Sequence, residues 1–240
     1  MIYIHIPFCK SRCLYCDFFS TTSLSLREDF VKALLKEIEG RAEELRRARA
    51  NTIYIGGGTP SQLDVRHLTE IFDALQLVAP LQEGAEVTIE CNPDDVTPEF
   101  VAALKTTPVN RISMGVQTFD DGLLRLLRRR HTPEQAHRAV DMLREAGYSN
   151  ISLDLMYGLP GQTMDMWIRD VEEMLSLHVP HLSAYSLQWE EGTPLYFMLE
   201  RGVVEEASDE LSRGMYEYFV KATSMHSMEH YEVSNYAMPG

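Results

Sequence analysis

The sequence predicts an α/β protein: a partial (β/α)6 barrel of parallel strands over residues 1–190, followed by the beginning of an α+β C-terminal extension over residues 191–240. Three observations carry this reading. Strand-like and helix-like segments alternate through the first three quarters of the chain, the pattern of a parallel sheet with helices outside. Within the strand-like segments, apolar and polar residues alternate in turn. After Trp189 a breaker cluster, Glu190-Glu191-Gly192-Thr193-Pro194, ends the series.

In chain order, strands are expected at Ile2–Pro7, Thr52–Ile55, Glu86–Glu90, Arg111–Val116, Ile151–Met156 and Leu182–Leu187. Helices are expected between them at Arg27–Arg47, Gln62–Val78, Pro98–Lys105, Pro133–Glu145 and Met164–Leu177. Thr97-Pro98 with Glu99, and Thr132-Pro133 with Glu134, read as helix starts. Gly147 suits a helix C-terminal cap. Beyond the breaker cluster, a helix is expected over Ser208–His226 and a short strand over His230–Val233. The last residues, Met238-Pro239-Gly240, form a turn rather than a finished element, and more chain is expected after them.

Strands buried on both faces usually read as continuous apolar runs, but these do not. Ile2, Ile4 and Ile6 oppose Tyr3 and His5; Val87, Ile89 and Cys91 oppose Thr88 and Glu90. Ile112, Met114 and Val116 oppose Arg111, Ser113, Gly115 and Gln117, while Ile151, Leu153 and Leu155 oppose Ser152, Asp154 and Met156. If the apolar face meets the helices, the other is polar and enclosed. A filled barrel core does not tolerate so many unpaired polar groups. An open barrel whose interior holds a polar ligand reconciles the two.

The 240 residues are 45% hydrophobic, and no run of about eighteen apolar residues offers a membrane span. The start, MIYIHIPFCK, lacks the basic and apolar regions of a signal peptide, so a cytoplasmic location is the default, with peripheral membrane contact left open. Lys and Arg number 22 against 36 Asp and Glu, a formal charge of −14 that makes nucleic acid a poor partner. The basic cluster Arg125–Arg130 reads mostly as a solvated helix end.

Three of the four cysteines fall in Cys9-Lys-Ser-Arg-Cys13-Leu-Tyr-Cys16, directly after the first strand. Loops at the carboxyl ends of strands build the active face of βα barrels. In a reducing compartment such a group is a metal site rather than a disulfide framework. Three thiolates can hold three irons of a cubane and leave the fourth open. Zinc is the weaker alternative, because a structural zinc wants four ligands, usually from paired C-x2-C units, and only one such unit is present. Cys91, on the apolar parity, reads as a small buried hydrophobe.

The C-x3-C-x2-C motif, with Tyr15 before its last cysteine, resembles that of the radical S-adenosylmethionine (SAM) superfamily. The resemblance implies a [4Fe–4S] cluster on Cys9, Cys13 and Cys16, whose open iron binds the amino and carboxylate groups of SAM. It further implies a reducing electron donor and reductive cleavage of SAM to a 5′-deoxyadenosyl radical. Tyr3-Ile-His-Ile-Pro-Phe-Cys9 and Tyr15-Cys16-Asp-Phe18 narrow the likeness to the oxygen-independent coproporphyrinogen III oxidase family and its HemW-like haem-chaperone branch. Gly56-Gly-Gly-Thr-Pro60, Glu90-Cys-Asn-Pro93, Ser113-Met-Gly-Val-Gln117, Asp154-Leu-Met-Tyr-Gly-Leu-Pro160 and Tyr231-Glu-Val-Ser-Asn-Tyr236 continue it in order.

Glycines at 56–58 let backbone approach a ligand closely, or serve as a plain strand-to-helix turn. By resemblance, Gly57, Gly58 and Thr59 meet the amino-acid end of SAM, and Glu90 joins them from the third strand. Gln117 and Asp154 would take the ribose hydroxyls. Arg129 matches the position that pairs the SAM carboxylate, with Arg128 and Arg130 as neighbours that could do the same. Tyr3 and Tyr15 would pack beside the cofactor, and Gln188 matches a weaker contact.

Two functions of different class follow from the resemblance. One is a haem chaperone that binds the cluster, SAM and haem and delivers haem to acceptor proteins, without oxidase activity. The other is an oxidase that decarboxylates two propionates of coproporphyrinogen III. The oxidase carries a further cysteine two residues after the third cluster ligand; Phe18 stands there in this chain and favours the chaperone. A radical SAM enzyme acting on another small molecule ranks third. The sequence leaves the oligomeric state open.

Overall fold

A computed structural model of the chain describes residues 1–239. It contains two compact units: Met1–Ser11 with Phe18–Ile112, and Arg12–Asp17 with the chain from Ser113 onward.

The first unit holds β1 (Ile2–Ile6), α1 (Arg27–Gly40), α2 (Ala42–Ala48), β2 (Thr52–Gly57), α3 (Val65–Val78), β3 (Glu86–Cys91) and α4 (Pro98–Leu104). Its strands lie side by side as β1-β2-β3 and pair in parallel, with Ile4 opposite Ile55 and Ile55 opposite Ile89. The apolar parity is the buried one: Ile4, Ile6, Ile53, Ile55, Val87 and Ile89 are all at most 4% exposed. Each such side chain contributes about 1.5–3 kcal/mol of transfer free energy. α1 packs on α3, which presents Leu68, Ile71, Phe72 and Leu75 at helical spacing.

Two helices depart from expectation. Arg27–Arg47 is not one helix, since Arg41 leaves helical geometry at φ −99°, ψ 13°. Gly40 just before it weakens the helix, and the residues beyond bury nothing that would hold a continuous rod in place. The helix expected from Gln62 begins at Val65, because Pro60–Gln62 forms a 3-10 turn and Leu63 is extended.

β4 (Arg111–Gln117) begins in the first unit and continues in the second, which adds α5 (Asp121–Leu126), α6 (Pro133–Glu145), β5 (Ile151–Tyr157), α7 (Met164–Ser176), β6 (His181–Ser186), α8 (Pro194–Glu200), α9 (Asp209–Met225), β7 (Glu229–Glu232) and β8 (Asn235–Ala237). The strand order is β4-β5-β6-β8-β7. β5 and β6 are parallel, whereas β8 runs antiparallel to both β6 and β7. α6 begins on a capping box: Thr132 Oγ1 accepts from Gln135 N–H and the Gln135 side chain accepts from Thr132 N–H, while Glu134 in the same first turn also bonds to the Thr132 side chain. Its buried residues, Ala136, Ala139, Val140 and Leu143, keep to one stripe. Gly147 takes the left-handed conformation (φ +95°) that ends the segment.

Several residues of the polar parity are buried, and the protein's own side chains satisfy them. Thr88, Ser113, Ser152 and Ser183 are at most 6% exposed. Thr88 accepts from Arg111 Nη1 at 3.4 Å, Ser152 Oγ meets His181 Nδ1 at 2.7 Å, and Ser183 Oγ donates to Asn235 Oδ1 at 2.9 Å. Polar parity near the amino ends of these strands therefore marks internal pairing, not room for a ligand.

Candidate functional site

In the first unit, β1 leads into Cys9. Phe8, 1% exposed, sets its ring edge-on against Phe30 of α1 at 5.3 Å and fixes the root of the loop. Cys9 N–H donates to Thr21 O at 2.9 Å, and Thr21 N–H to Pro7 O at 2.6 Å. The Cys9 sulfur is thus buried, and it accepts a hydrogen bond from Thr59 Oγ1 at 3.6 Å.

The glycine run has a packing explanation that sequence spacing did not reveal. A Cβ on Gly56 would come within 2.8 Å of the Glu90 carboxyl and the Tyr54 ring. On Gly57, at φ +111°, it would come within 2.6 Å of the His5 ring. On Gly58 it would strike Phe8 O and Ile6 O at 2.8 and 2.9 Å, backbone atoms that cannot yield. The N–H groups of this turn are also engaged: Gly57 with Glu90 Oε2 at 3.0 Å, Gly58 with Ile6 O at 2.8 Å, Thr59 with Phe8 O at 2.7 Å. A ligand here meets acceptors rather than N–H donors, which disfavours the phosphate-cradle use of glycine-rich turns.

Glu90 also accepts from Tyr54 Oη at 2.7 Å. Burial raises its carboxyl above the usual range, and the bonds from Tyr54 and Gly57, with His5 nearby, act against that. Tyr3 is 52% exposed and stacks on Tyr54 with ring centroids 6.1 Å apart. His5 Nε2 faces Phe19 O at 2.8 Å, so that nitrogen donates and Nδ1 accepts from Tyr3 Oη at 3.2 Å. Tyr54 is a neighbour of Tyr3 that sequence reasoning did not single out, although Tyr3 lies opposite it in register.

In the second unit, the cysteine loop is held by the residue between its cysteines. Leu14 N–H donates to Leu127 O at 3.1 Å, and Leu14 O accepts from Leu195 N–H at 3.0 Å. Its side chain joins Leu123, Leu127, Met156, Leu159, Leu187 and Leu195, with Tyr15 packed against them. Cys13 and Cys16 are half-buried, and Cys16 N–H closes a turn on Cys13 O at 3.4 Å. Burial lifts the Tyr15 hydroxyl well above its usual range; Arg129 opposes this, and the two cysteines add to it.

Among the arginines, backbone geometry singles out Arg129. α5 ends with Arg128 in the left-handed region (φ +56°), its N–H on Arg125 O and that of Arg129 on Leu124 O. This is a Schellman turn with arginine where glycine is usual. Arg128 is exposed, whereas Arg129 turns inward, donating from Nη1 to Cys13 Sγ at 3.5 Å and from Nη2 to Gly115 O. A Cβ on Gly115 would come within 2.6 Å of Gln117 Nε2. Gln117 itself sits at φ +72°, a strained position for a residue with a side chain.

The turn after Gln117 is held from α7. Asp170, 2% exposed, accepts from Thr118 Oγ1 and from Phe119 N–H, both at 2.7 Å. Burial pushes its carboxyl up to about 6 despite these bonds. The folded value lies above the unfolded one, so the contribution to stability is full below the unfolded value and is lost as pH rises through about 6. Between pH 7 and pH 4, wild type should gain up to about 3 kcal/mol relative to Asp170→Asn. Urea unfolding of both proteins across that range checks this; parallel pH profiles would refute it.

Asp154 is half-buried on β5 opposite Ser183, near enough to contribute to the raised hydroxyl of Tyr185. Gln188 is exposed beyond β6, and its amide reaches back to Ser186 O at 3.5 Å. Among the described residues, no three His, Cys, Asp or Glu side chains gather around a single metal ion. A cubane asks for something different, one thiolate on each of three irons. The donor chemistry fits such a cluster: Cys9, Cys13 and Cys16 are free thiols, Cys9 receives a hydrogen bond from Thr59, and Cys13 receives one from Arg129. No helix among the described residues is long and apolar enough to cross a membrane.

Comparison with known proteins bears on this arrangement. The radical SAM superfamily model matches residues 3–174. The chain is 41% identical over 240 residues to the haem chaperone HemW of Lactococcus lactis, covering 99% of this chain and 62% of that protein. It is 34% identical over 244 residues to HemW of Escherichia coli, covering 100% of this chain and 63% of that one. This chain therefore spans a little over three fifths of such relatives. Among solved structures, the coproporphyrinogen III oxidase HemN of Escherichia coli, a radical SAM enzyme, superposes with a TM-score of 0.87 at 25% identity, over 99% of this chain and 55% of that one. The fold is accordingly the expected (β/α) barrel class. Since the family match takes in the cysteine loop together with β2 through β5, the chain belongs to the radical SAM superfamily.

Proposed function

We propose that this chain is the radical SAM portion of a haem chaperone, with a [4Fe–4S] cluster on Cys9, Cys13 and Cys16, a SAM site, and haem as cargo for acceptor proteins in the cytoplasm. Membership of the superfamily implies the cluster and SAM. When bound, the cluster supplies an electron from a reducing donor, and SAM supplies a cleavable sulfonium.

The residues' tasks follow from what each has to offer. Around Gly57, Gly58 and Thr59 the N–H groups are engaged, and Glu90 adds a carboxylate, so this turn suits an ammonium such as the amino group of SAM. Arg129 has five N–H donors, enough to keep Gly115 O and still fork a carboxylate. Gln117 and Asp154 are assigned the ribose hydroxyls, Tyr3 and Tyr15 the flanks of the cofactor, and Gln188, exposed, a peripheral contact.

The observation that carries the choice between chaperone and oxidase is Phe18. It stands where the oxidase pattern has a further cysteine, and it is 60% exposed rather than buried as filler. The identity to the haem chaperones supports the same choice. The oxidase reading keeps one argument, the TM-score of 0.87 to HemN. Anaerobic reconstitution followed by parallel assays of haem uptake and coproporphyrinogen turnover separates them. We expect the full-length protein to bind haem and form no protoporphyrinogen; turnover to protoporphyrinogen would overturn the chaperone reading.

A further inference from the structure

Two 3-10 turns of the first unit start alike: Pro60–Gln62 follows Thr59, and Pro93–Asp95 follows Asn92. In each, an extended residue at the N-cap position precedes a proline. Threonine and asparagine are residue types that normally turn their side chains back onto the N–H groups of such starts. Neither does so here. Asn92 Nδ2 donates instead to Thr59 Oγ1 at 3.3 Å, and Thr59 Oγ1 donates to Cys9 Sγ at 3.6 Å. The turns are cross-tied a second time, by Ser61 Oγ donating to Asp95 Oδ2 at 2.8 Å.

A hydroxyl has one hydrogen and two lone pairs. With Asn92 on its acceptor side, the Thr59 hydrogen is left for the sulfur. Thr59 and Cys9 are 5% and 8% exposed, so water competes little and the bond is strengthened by its surroundings. Hydrogen bonds to cluster sulfurs favour the more negatively charged, reduced state and so raise the reduction potential.

We propose that Asn92 is a positioning residue, orienting the Thr59 hydroxyl onto Cys9 Sγ and thereby setting the reduction potential of the cluster held through Cys9. This rests on the assignment of Cys9 as a cluster ligand. It gives Asn92 a task beyond starting a turn, and it directs the Thr59 hydroxyl to the sulfur while the Thr59 N–H serves Phe8 O.

The test is a redox titration, followed by electron paramagnetic resonance, of anaerobically reconstituted protein, with iron and sulfide measured on the same samples. Thr59→Val should lower the midpoint potential and Thr59→Ser should keep it at the wild-type value. Asn92→Ala should lower it by part or all of the Thr59→Val shift, with Asn92→Leu as a substitute of similar volume if the smaller side chain impairs folding. The double variant should match Thr59→Val alone, because Asn92 acts through that hydroxyl. An Asn92 variant with full iron and the wild-type potential would overturn the proposal, as would a double variant whose shift is the sum of the two. Wild-type protein that takes up no iron or sulfide would overturn the cluster assignment and this inference with it, whereas a full cluster with unmoved potentials would overturn the inference alone.

Discussion

Cys13→Ala is expected to take up no cluster: iron and sulfide stay at background after anaerobic reconstitution, and the visible absorbance is missing. Thermal unfolding of the protein without cluster should be unchanged from wild type. Both expectations follow from how the loop is built. Cys13 is half-buried and supplies a sulfur, while the loop's backbone is held by Leu14, through Leu127 O and Leu195 N–H, and by the apolar cluster around it. Removing the Sγ leaves those bonds intact, and Arg129 keeps Gly115 O. The control is Cys91→Ala. Cys91 is 4% exposed on the apolar parity of β3, so its loss should leave iron content at the wild-type value. Full iron in Cys13→Ala, or its loss in Cys91→Ala, would place the ligands elsewhere.

Much of this arrangement was legible because it is periodic or locally spaced. The alternation in β1 and β3 placed Ile4, Ile6, Val87 and Ile89 on a buried face, since a side chain two positions on must share a face. The cysteine spacing and its place after β1 needed no tertiary information either. What was illegible depends on pairs distant in sequence or on backbone conformations that residue type disfavours. The resemblance pointed to Arg129, but residue type alone does not separate it from Arg128 and Arg130; that takes Arg128 at φ +56°, a conformation that favours glycine. The reason for Gly58 lies in the carbonyls of Ile6 and Phe8, some fifty positions away. Polar parity overstated the ligand's share of the interior, because Ser152 and Ser183 are satisfied by His181 and Asn235. α5, α8 and β8 escaped notice because six, seven and three residues carry little periodicity.

Trp167 is the residue whose truncation should cost the second unit most. It is fully buried on α7, with its Nε1–H donating to Met215 O of α9 at 2.8 Å. Its ring lies 5.6 Å from Tyr157 at the end of β5 and 5.8 Å from Phe219, which in turn meets Tyr236 of β8 edge-on at 4.8 Å. One side chain thus joins a barrel strand and helix to the segment after the breaker cluster. Trp167→Ala should lose about 3–5 kcal/mol, the range for emptying a packed indole site. In a chain of this size that lowers the melting temperature by roughly 10 °C. Trp167→Phe separates the two contributions, since it keeps a ring in the stack and gives up the N–H, worth about 1 kcal/mol as a single hydrogen bond. Chemical unfolding monitored by circular dichroism measures both variants. A loss below about 1 kcal/mol for Trp167→Ala would mean that α9 and β8 are held chiefly by the pairing of β8 with β6, through Leu182 opposite Tyr236, and not by the indole.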